Sequence, residues 1–280
     1  MSVSWEDAVA WARETPEMAD LVQACYYDDP IEASAERFKA SEEWFAIRDL
    51  LRPAEGHRVL EIGAGRGMVI WAFAREGCEA YALEPNPSGL VGSGAIQKLC
   101  EITETPIHIL DLTDGKISSC DQFFDIVVCR GVLHHVQNLD DVCLEVFRVL
   151  RPAGCFLVMK EHVADTPEEL SAFLRVHPLH HLYGGENAYP LKSYKHSMRR
   201  AGFRIKRIFG HFDHPITSAP AFTTRDIQLQ AAQRIFRLLP KGLRPDQITS
   251  PMLTQIYRHW MTYRSRIPGR LYSFLLERPR

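Results

Sequence analysis

The chain of 280 residues is 46% hydrophobic and 24% charged, enough to bury one substantial core with an attached cap. No apolar run approaches the roughly 20 residues that span a bilayer, and no basic stretch leads into a hydrophobic one at the start, so a cytoplasmic protein without a membrane span is expected. Net charge is only -2, and the seven scattered cysteines, never spaced Cys-x-x-Cys, argue against a disulfide framework or a thiolate metal site.

Along the chain, Ser4 is placed to cap a helix from Trp5 to Arg13, Pro16 and Pro30 mark breaks, and Phe38, Trp44, Ile47 and Leu51 recur at near-helical spacing before Pro53. Residues 1–55 are therefore expected as a helical cap, and 56–280 as the main domain. From Arg58, strands alternate with helices, the pattern of a parallel sheet covered on both faces. Strands are expected at Val59 to Ile62, Ala80 to Leu83, Ile107 to Leu110, Phe124 to Cys129 and Cys155 to Lys160. Helices are expected at Met68 to Glu76 and Asp140 to Leu150, the second closed by the turn Arg151-Pro152-Ala153-Gly154. An insert rich in His, Pro and Gly follows over about 161–190, longer than an ordinary connection. A helix from Leu191 to Ala201 and a strand from Gly202 to Phe209 come next. A second insert over about 210–268, helix-rich from Thr223 to Arg266, precedes a final strand from Arg270 to Leu276.

The chemistry concentrates in Arg58 to Gly67, a strand ending in an acid that runs into a glycine loop ahead of a helix. Gly63, Gly65 and Gly67 permit positive φ and let a ligand press on main-chain atoms. A dinucleotide fingerprint needs glycine at 68, where Met68 stands, so hydride transfer is disfavoured. Glu61 before the loop repels phosphate and suits an ammonium or sulfonium group. Glu84, at the end of the second strand, is placed to accept from ribose hydroxyls, and Asp111 with Leu112 from an adenine amine beside an apolar surface.

The Glu-x-Gly-x-Gly-x-Gly spacing, with these acids, the run Phe124 to His135 and the Leu150 to Gly154 turn, resembles the class I S-adenosylmethionine-dependent methyltransferases across roughly Arg58 to Lys160. The resemblance implies an α/β, Rossmann-like, doubly wound seven-stranded sheet whose last strand is antiparallel. It implies S-adenosylmethionine as cofactor, with Glu61, Gly63 and Gly65 at its methionine part, Glu84 at the ribose, Asp111 and Leu112 at the adenine, and Arg130 and His135 near the donor methyl. Ala64, Gly67 and Pro85 complete the cofactor set. Ala153, where such proteins often have glycine, is taken as compatible with its bend.

Transfer to oxygen requires a base, and imidazole suits it. His135 and His134 follow the fourth strand, whose carboxyl end faces the ligand crevice, and His180 lies with His177 and His181 in the first insert, expected as a lid. That cluster with Glu186 offers metal ligands but matches no spacing tied to a known site, so no metal is expected. Residues 1–186 carry 15 Lys and Arg against 31 Asp and Glu, and residues 187–280 carry 18 against 4. Either the last third meets an anionic partner or the two halves complement each other in one fold. Basic walls from Lys192, Lys195, Arg199, Arg200 and the C-terminal arginines would favour an acceptor bearing phosphate or carboxylate, or one delivered on an acidic carrier protein. The expected function is methylation of a small molecule at oxygen, such as a sugar or specialised metabolite. The alternatives are an RNA methyltransferase, disfavoured by the pI of 6.6 and the lack of an RNA-binding module, and a module that binds the cofactor without transferring its methyl. Oligomeric state is not legible.

Overall fold

A computed structural model of the chain describes residues 3–236 and 251–280; part of the expected second insert, 237–250, lies outside them. The elements in chain order begin with helices α1 (Trp5–Glu14), α2 (Ala19–Ala24), α3 (Ile31–Lys39) and α4 (Glu42–Leu51). Strand β1 (Arg58–Ile62), α5 (Met68–Ala74), β2 (Glu79–Leu83), α6 (Ser93–Thr103) and β3 (His108–Leu110) follow. A small hairpin, β4 (Leu112–Thr113) and β5 (Lys116–Ile117), leads to β6 (Phe124–Arg130), α7 (Leu139–Val149) and β7 (Leu150–Val163). The first insert holds α8 (Pro167–Val176) and α9 (His180–Tyr183), before α10 (Leu191–Arg200) and β8 (Arg204–Phe209). Helices α11 (Pro215–Ser218), α12 (Thr224–Phe236) and α13 (Pro251–Arg264) precede β9 (Arg270–Glu277).

Seven strands form one sheet in the order β3-β2-β1-β6-β7-β9-β8. Strand β9 pairs antiparallel with both β7 and β8, and the other neighbours pair parallel, as the sequence implied. The order reverses between β1 and β6, which opens a crevice at their carboxyl ends. Strand β6 is buried along nearly its whole length, which is why Ile126 to Cys129 reads as an unbroken apolar run. Local chemistry sets several helix starts. Ser4 caps α1 in a reciprocal pair with Asp7, Ser41 caps α4, and Asn138 caps α7.

Two cores flank the sheet. On one face Trp44, Ile47 and Phe38 from α3 and α4 pack with Trp71 and Phe73 of α5. On the other, Val146 and Val149 of α7 and Tyr194 and Met198 of α10 cover Leu60, Val127 and Phe156. The N-terminal helices thus divide by what they pack on. Helices α3 and α4 are built into the body, whereas Ala12 of α1 and Val22 of α2 join Leu179 of the first insert in a separate small cluster.

Strand β7 continues past the expected end at Lys160. Between the pairs Val158 with Phe274 and Glu161 with Tyr272 it carries one residue more than β9, and Lys160 there has φ 58°. This bulge turns Met159 and Lys160 to the same face and sends Glu161 to the other. Lys160 consequently meets Glu43 of α4, its Nζ 3.2 Å from Oε2, while Arg130 at the end of β6 grips the same carboxylate through Nε at 2.7 Å and Nη2 at 3.2 Å. Glu43 is fully buried. Burial pushes its carboxyl up, but Arg130 and Lys160 outweigh that and hold it below the usual range. Burial pulls the Lys160 amine down to about 8 despite Glu43.

Ala153 has φ 63°, so the sequence expectation that alanine suits this bend is corrected: a Cβ in the left-handed region clashes with its own backbone. Ala153→Gly is expected to stabilise the protein by about 0.5–1 kcal/mol, the strain removed being partly offset by the greater freedom of unfolded glycine; an unchanged or lowered denaturant midpoint would contradict this. Glu43→Gln leaves two cations sharing a buried site without a counter-charge and is expected to cost about 3–5 kcal/mol. Calorimetry checks it, and a melting temperature within a degree of the parent would show that the carboxylate charge is dispensable.

Candidate functional site

The glycine loop between β1 and α5 is shaped by contacts that exclude side chains. A Cβ on Gly63, where φ is 62°, would lie 2.6 Å from Val132 Cγ2. The Gly63 N–H donates to Leu83 O at 2.8 Å, and the Gly65 N–H to Glu84 Oε2 at 2.7 Å. The second oxygen of Glu84 accepts from Asn86 N–H at 3.0 Å. Each Glu84 oxygen keeps a free lone pair for a ligand hydroxyl.

Glu61 is buried and accepts from the Ile70 N–H at 2.9 Å. Burial is the main cause that pushes its carboxyl up to about 8. With no charge beside it the group keeps its proton near neutral pH, and a cation beside it favours release of that proton. The site accommodates an ammonium or sulfonium and disfavours phosphate.

These groups face a cavity of about 380 Å³, the size for one compact ligand. Its opposite wall is aromatic, from Trp5, Tyr26, Tyr27 and Phe38, with Cys25 between them. Arg66 joins roof to loop: its Nη1 donates to the carbonyls of Tyr26 and Asp28, both at 2.8 Å. Arg130 and His135 complete the lining on the β6 side. The Arg130 guanidinium is committed to Glu43, so it contributes shape and a neutralised charge rather than a free cation.

The three histidine candidates separate in space. His135 lines the cavity, and its Nδ1 lies 3.2 Å from the Gly185 carbonyl, which can only accept; Nδ1 therefore carries the proton and Nε2 the lone pair that a base requires. Burial first, then neighbouring His134, lowers its pKa and keeps the ring neutral. His134 lies beneath it, buried, with Nδ1 at 2.7 Å from Glu161, and is absent from the cavity lining. His180 is also absent from that lining, and its Nδ1 is buried without a partner.

Other expectations shift. Glu61, Gly63, Ala64, Gly65, Glu84 and Arg130 line the cavity, while Gly67 begins α5 just behind it and Pro85 follows Glu84 outside the lining. Asp111 and Leu112 are exposed beyond the end of β3, further along the carboxyl edge. The basic walls are not there. Tyr194 and Met198 of α10 point into the core, so Lys192, Lys195, Arg199 and Arg200 line a separate open depression. Nor does the first insert, expected as a lid, line the cavity directly. The first props the roof from behind, with Trp5 against Tyr183 at 4.8 Å between ring centres, and described residues of the second line another hollow with Arg266 and Arg270. Sequence reading missed Glu43, Arg66 and Glu161. Glu43 follows Glu42 in the first turn of α4, where acids ordinarily favour the helix dipole from solvent, and nothing local announces its burial.

A family model described as a methyltransferase domain matches residues 35–208. The chain is 23% identical over 194 residues to the ubiquinone biosynthesis O-methyltransferase of Rhizobium etli strain CIAT 652, which covers 68% of this chain and 77% of that protein. It is 26% identical over 135 residues to the tRNA U34 carboxymethyltransferase of Syntrophotalea carbinolica, covering 48% of this chain and only 41% of that relative. Among solved structures, the fold resembles that of geranyl diphosphate methyltransferase in complex with SAM, with a TM-score of 0.54 at 14% identity, covering 91% and 94% of the two chains. With the match running from α3 through the glycine loop to β8, this chain belongs to the class I S-adenosylmethionine-dependent methyltransferases, and S-adenosylmethionine is its cofactor.

Proposed function

We propose that this methyltransferase acts on a compact small molecule, at oxygen, with His135 as the base. The observation that carries the reading is a neutral imidazole with an unprotonated Nε2 on a cavity that has an aromatic wall opposite the glycine loop. The donor's sulfonium already activates the methyl group, so the protein's tasks are alignment and removal of one proton from the acceptor hydroxyl. In this reading Glu84 holds the ribose, Asp111 and Leu112 the adenine, and Glu61 with the loop the methionine part. The donor fills much of a cavity of about 380 Å³, which favours a compact acceptor over a polynucleotide. The likeness to a ubiquinone O-methyltransferase supports a hydroxylated small molecule, such as a sugar or specialised metabolite. An anionic or carrier-bound acceptor has lost its support, because the lysines and arginines invoked for it lie elsewhere. The tRNA relative keeps RNA as a second reading. Unpaired cysteines at all seven positions, and the absence of any helix long and apolar enough to cross a membrane among the described residues, are compatible with the cytoplasm.

Incubation with radiolabelled methyl donor, a panel of hydroxylated small molecules and unmodified tRNA is expected to label small molecules, and label appearing only in tRNA would overturn the reading. Glu84→Ala is expected to weaken donor binding by about 1–3 kcal/mol through lost hydrogen bonds to the ribose; calorimetry giving the parental affinity would remove that assignment. His135→Ala is expected to lower kcat by about 10²–10⁴ with donor affinity nearly unchanged. Because the base works unprotonated and its pKa is lowered, parental turnover should hold across neutral pH and fall only as pH drops below the ordinary histidine value near 6.5. A variant with undiminished kcat would move the base elsewhere.

A further inference from the structure

A second polar centre lies under His135, outside the cofactor cavity. His134, buried, comes from the turn after β6; His162 comes from the end of β7 beyond the bulge; Glu186, buried, comes from the first insert. One ligand-capable atom from each lies within 4.8 Å of the other two. Each histidine has its Nδ1 tied to an acceptor. His134 Nδ1 lies 2.7 Å from the Glu161 carboxylate, which also takes the backbone N–H groups of His134 at 2.9 Å and Val132 at 3.1 Å. His162 Nδ1 lies 2.7 Å from the Gly269 carbonyl. Both Nδ1 atoms therefore donate, which leaves Nε2 of each ring as the atom that can bind a cation.

The third group faces them with lone pairs too. Glu186 is side-chain buried to 4% exposure, and its Oε2, with no hydrogen-bond partner, lies 3.7 Å from His134 Nε2. Its Oε1 takes the Tyr183 hydroxyl and lies 3.6 Å from His177 Nε2. Two acceptors pointed at each other in a buried site repel unless a proton or a cation sits between them. A single proton on His134 serves only its pair with Glu186. A cation satisfies all three. An imidazole whose far nitrogen donates to a carboxylate or carbonyl is also the usual arrangement of a metal-bound histidine, because that bond fixes the tautomer and orients the ring.

We propose that His134 Nε2, His162 Nε2 and the Glu186 carboxylate form a binding site for a divalent transition metal of the zinc class, with His177 as the nearest further donor. Two imidazoles and a carboxylate suit zinc or cobalt, and their donor atoms sit about 3.3 Å apart around a tetrahedral ion, so modest closing movements complete the set. The site would fasten the first insert to the ends of β6 and β7 and so fix the floor on which His135 rests, its ring 4.0 Å from that of His134. It does not depend on the acceptor proposed above.

Metal-stripped, tag-free full-length protein titrated with zinc chloride in a calorimeter is expected to bind about one ion per chain. Substitution with cobalt(II) should give ligand-field bands without a thiolate charge-transfer band, which separates this site from the seven cysteines. His162→Ala and the near-isosteric Glu186→Gln should each weaken binding at least tenfold, whereas His196→Ala, on the exposed face of α10, should not. Circular dichroism checks folding, and if His162→Ala does not fold, Glu186→Gln and the parental titration still decide. No binding by the parent, binding untouched by Glu186→Gln, or a thiolate spectrum would each overturn the proposal. Donor binding measured on the same stripped protein tests the cofactor assignment separately.

Discussion

One extra residue in β7 governs how the two faces of this sheet are used. Without the bulge at Lys160, strict alternation would send Lys160 away from Met159, toward the face covered by α7 and α10, and Glu161 toward the face covered by α4. With it, Lys160 reaches Glu43 and Glu161 receives the turn that carries His134. The two consequences belong together. The same irregularity neutralises the carboxylate that α4 buries and supplies the acceptor that orients the histidine pair after β6.

Charge matching then explains why the roofed cavity is not a basic one. Arg130 points toward the ligand region from β6, yet its fork is satisfied by Glu43, and Arg66 gives Nη1 to the carbonyls of Tyr26 and Asp28 and pairs through Nη2 with Asp29. Both cations hold the N-terminal segment against the loop and strands instead of waiting for an anion. What remains facing the ligand is aromatic surface, a protonated or ionised Glu61 according to what sits beside it, and the hydrogen-bonding edge of Glu84. That combination is chemically compatible with a cationic nucleoside such as the family's cofactor.

The excess of basic residues in the last third has a correspondingly local meaning. Arg270 pairs with Glu169 and Asp165, Arg200 with Asp140, and Lys206 and Arg204 reach Glu277. Among the described residues Arg200 and Arg270 answer acids of the first two thirds, while Arg204 and Lys206 answer Glu277, so part of the uneven charge is complemented within the fold.

Strand positions, the glycine loop and the acids at strand ends were legible because each depends on a few neighbouring residues: short apolar runs, positive φ at Gly63 and Gly65, and an acid where a strand stops. The seven strands and the antiparallel last one followed from the family resemblance, and their order came only with the structure. Tertiary structure alone decided which groups meet. Arg130 lies 87 residues from Glu43, His134 is 27 from Glu161, and the aromatic roof comes from helices that precede the sheet. Such pairings hinge on register and on a single bulge, and a one-residue change in register reverses the face of every side chain beyond it. Residue order thus fixed the glycine loop, whose shape is carried by backbone and its immediate flanks, while the surroundings of His135, the roof and the histidine cluster exist only once distant elements are packed.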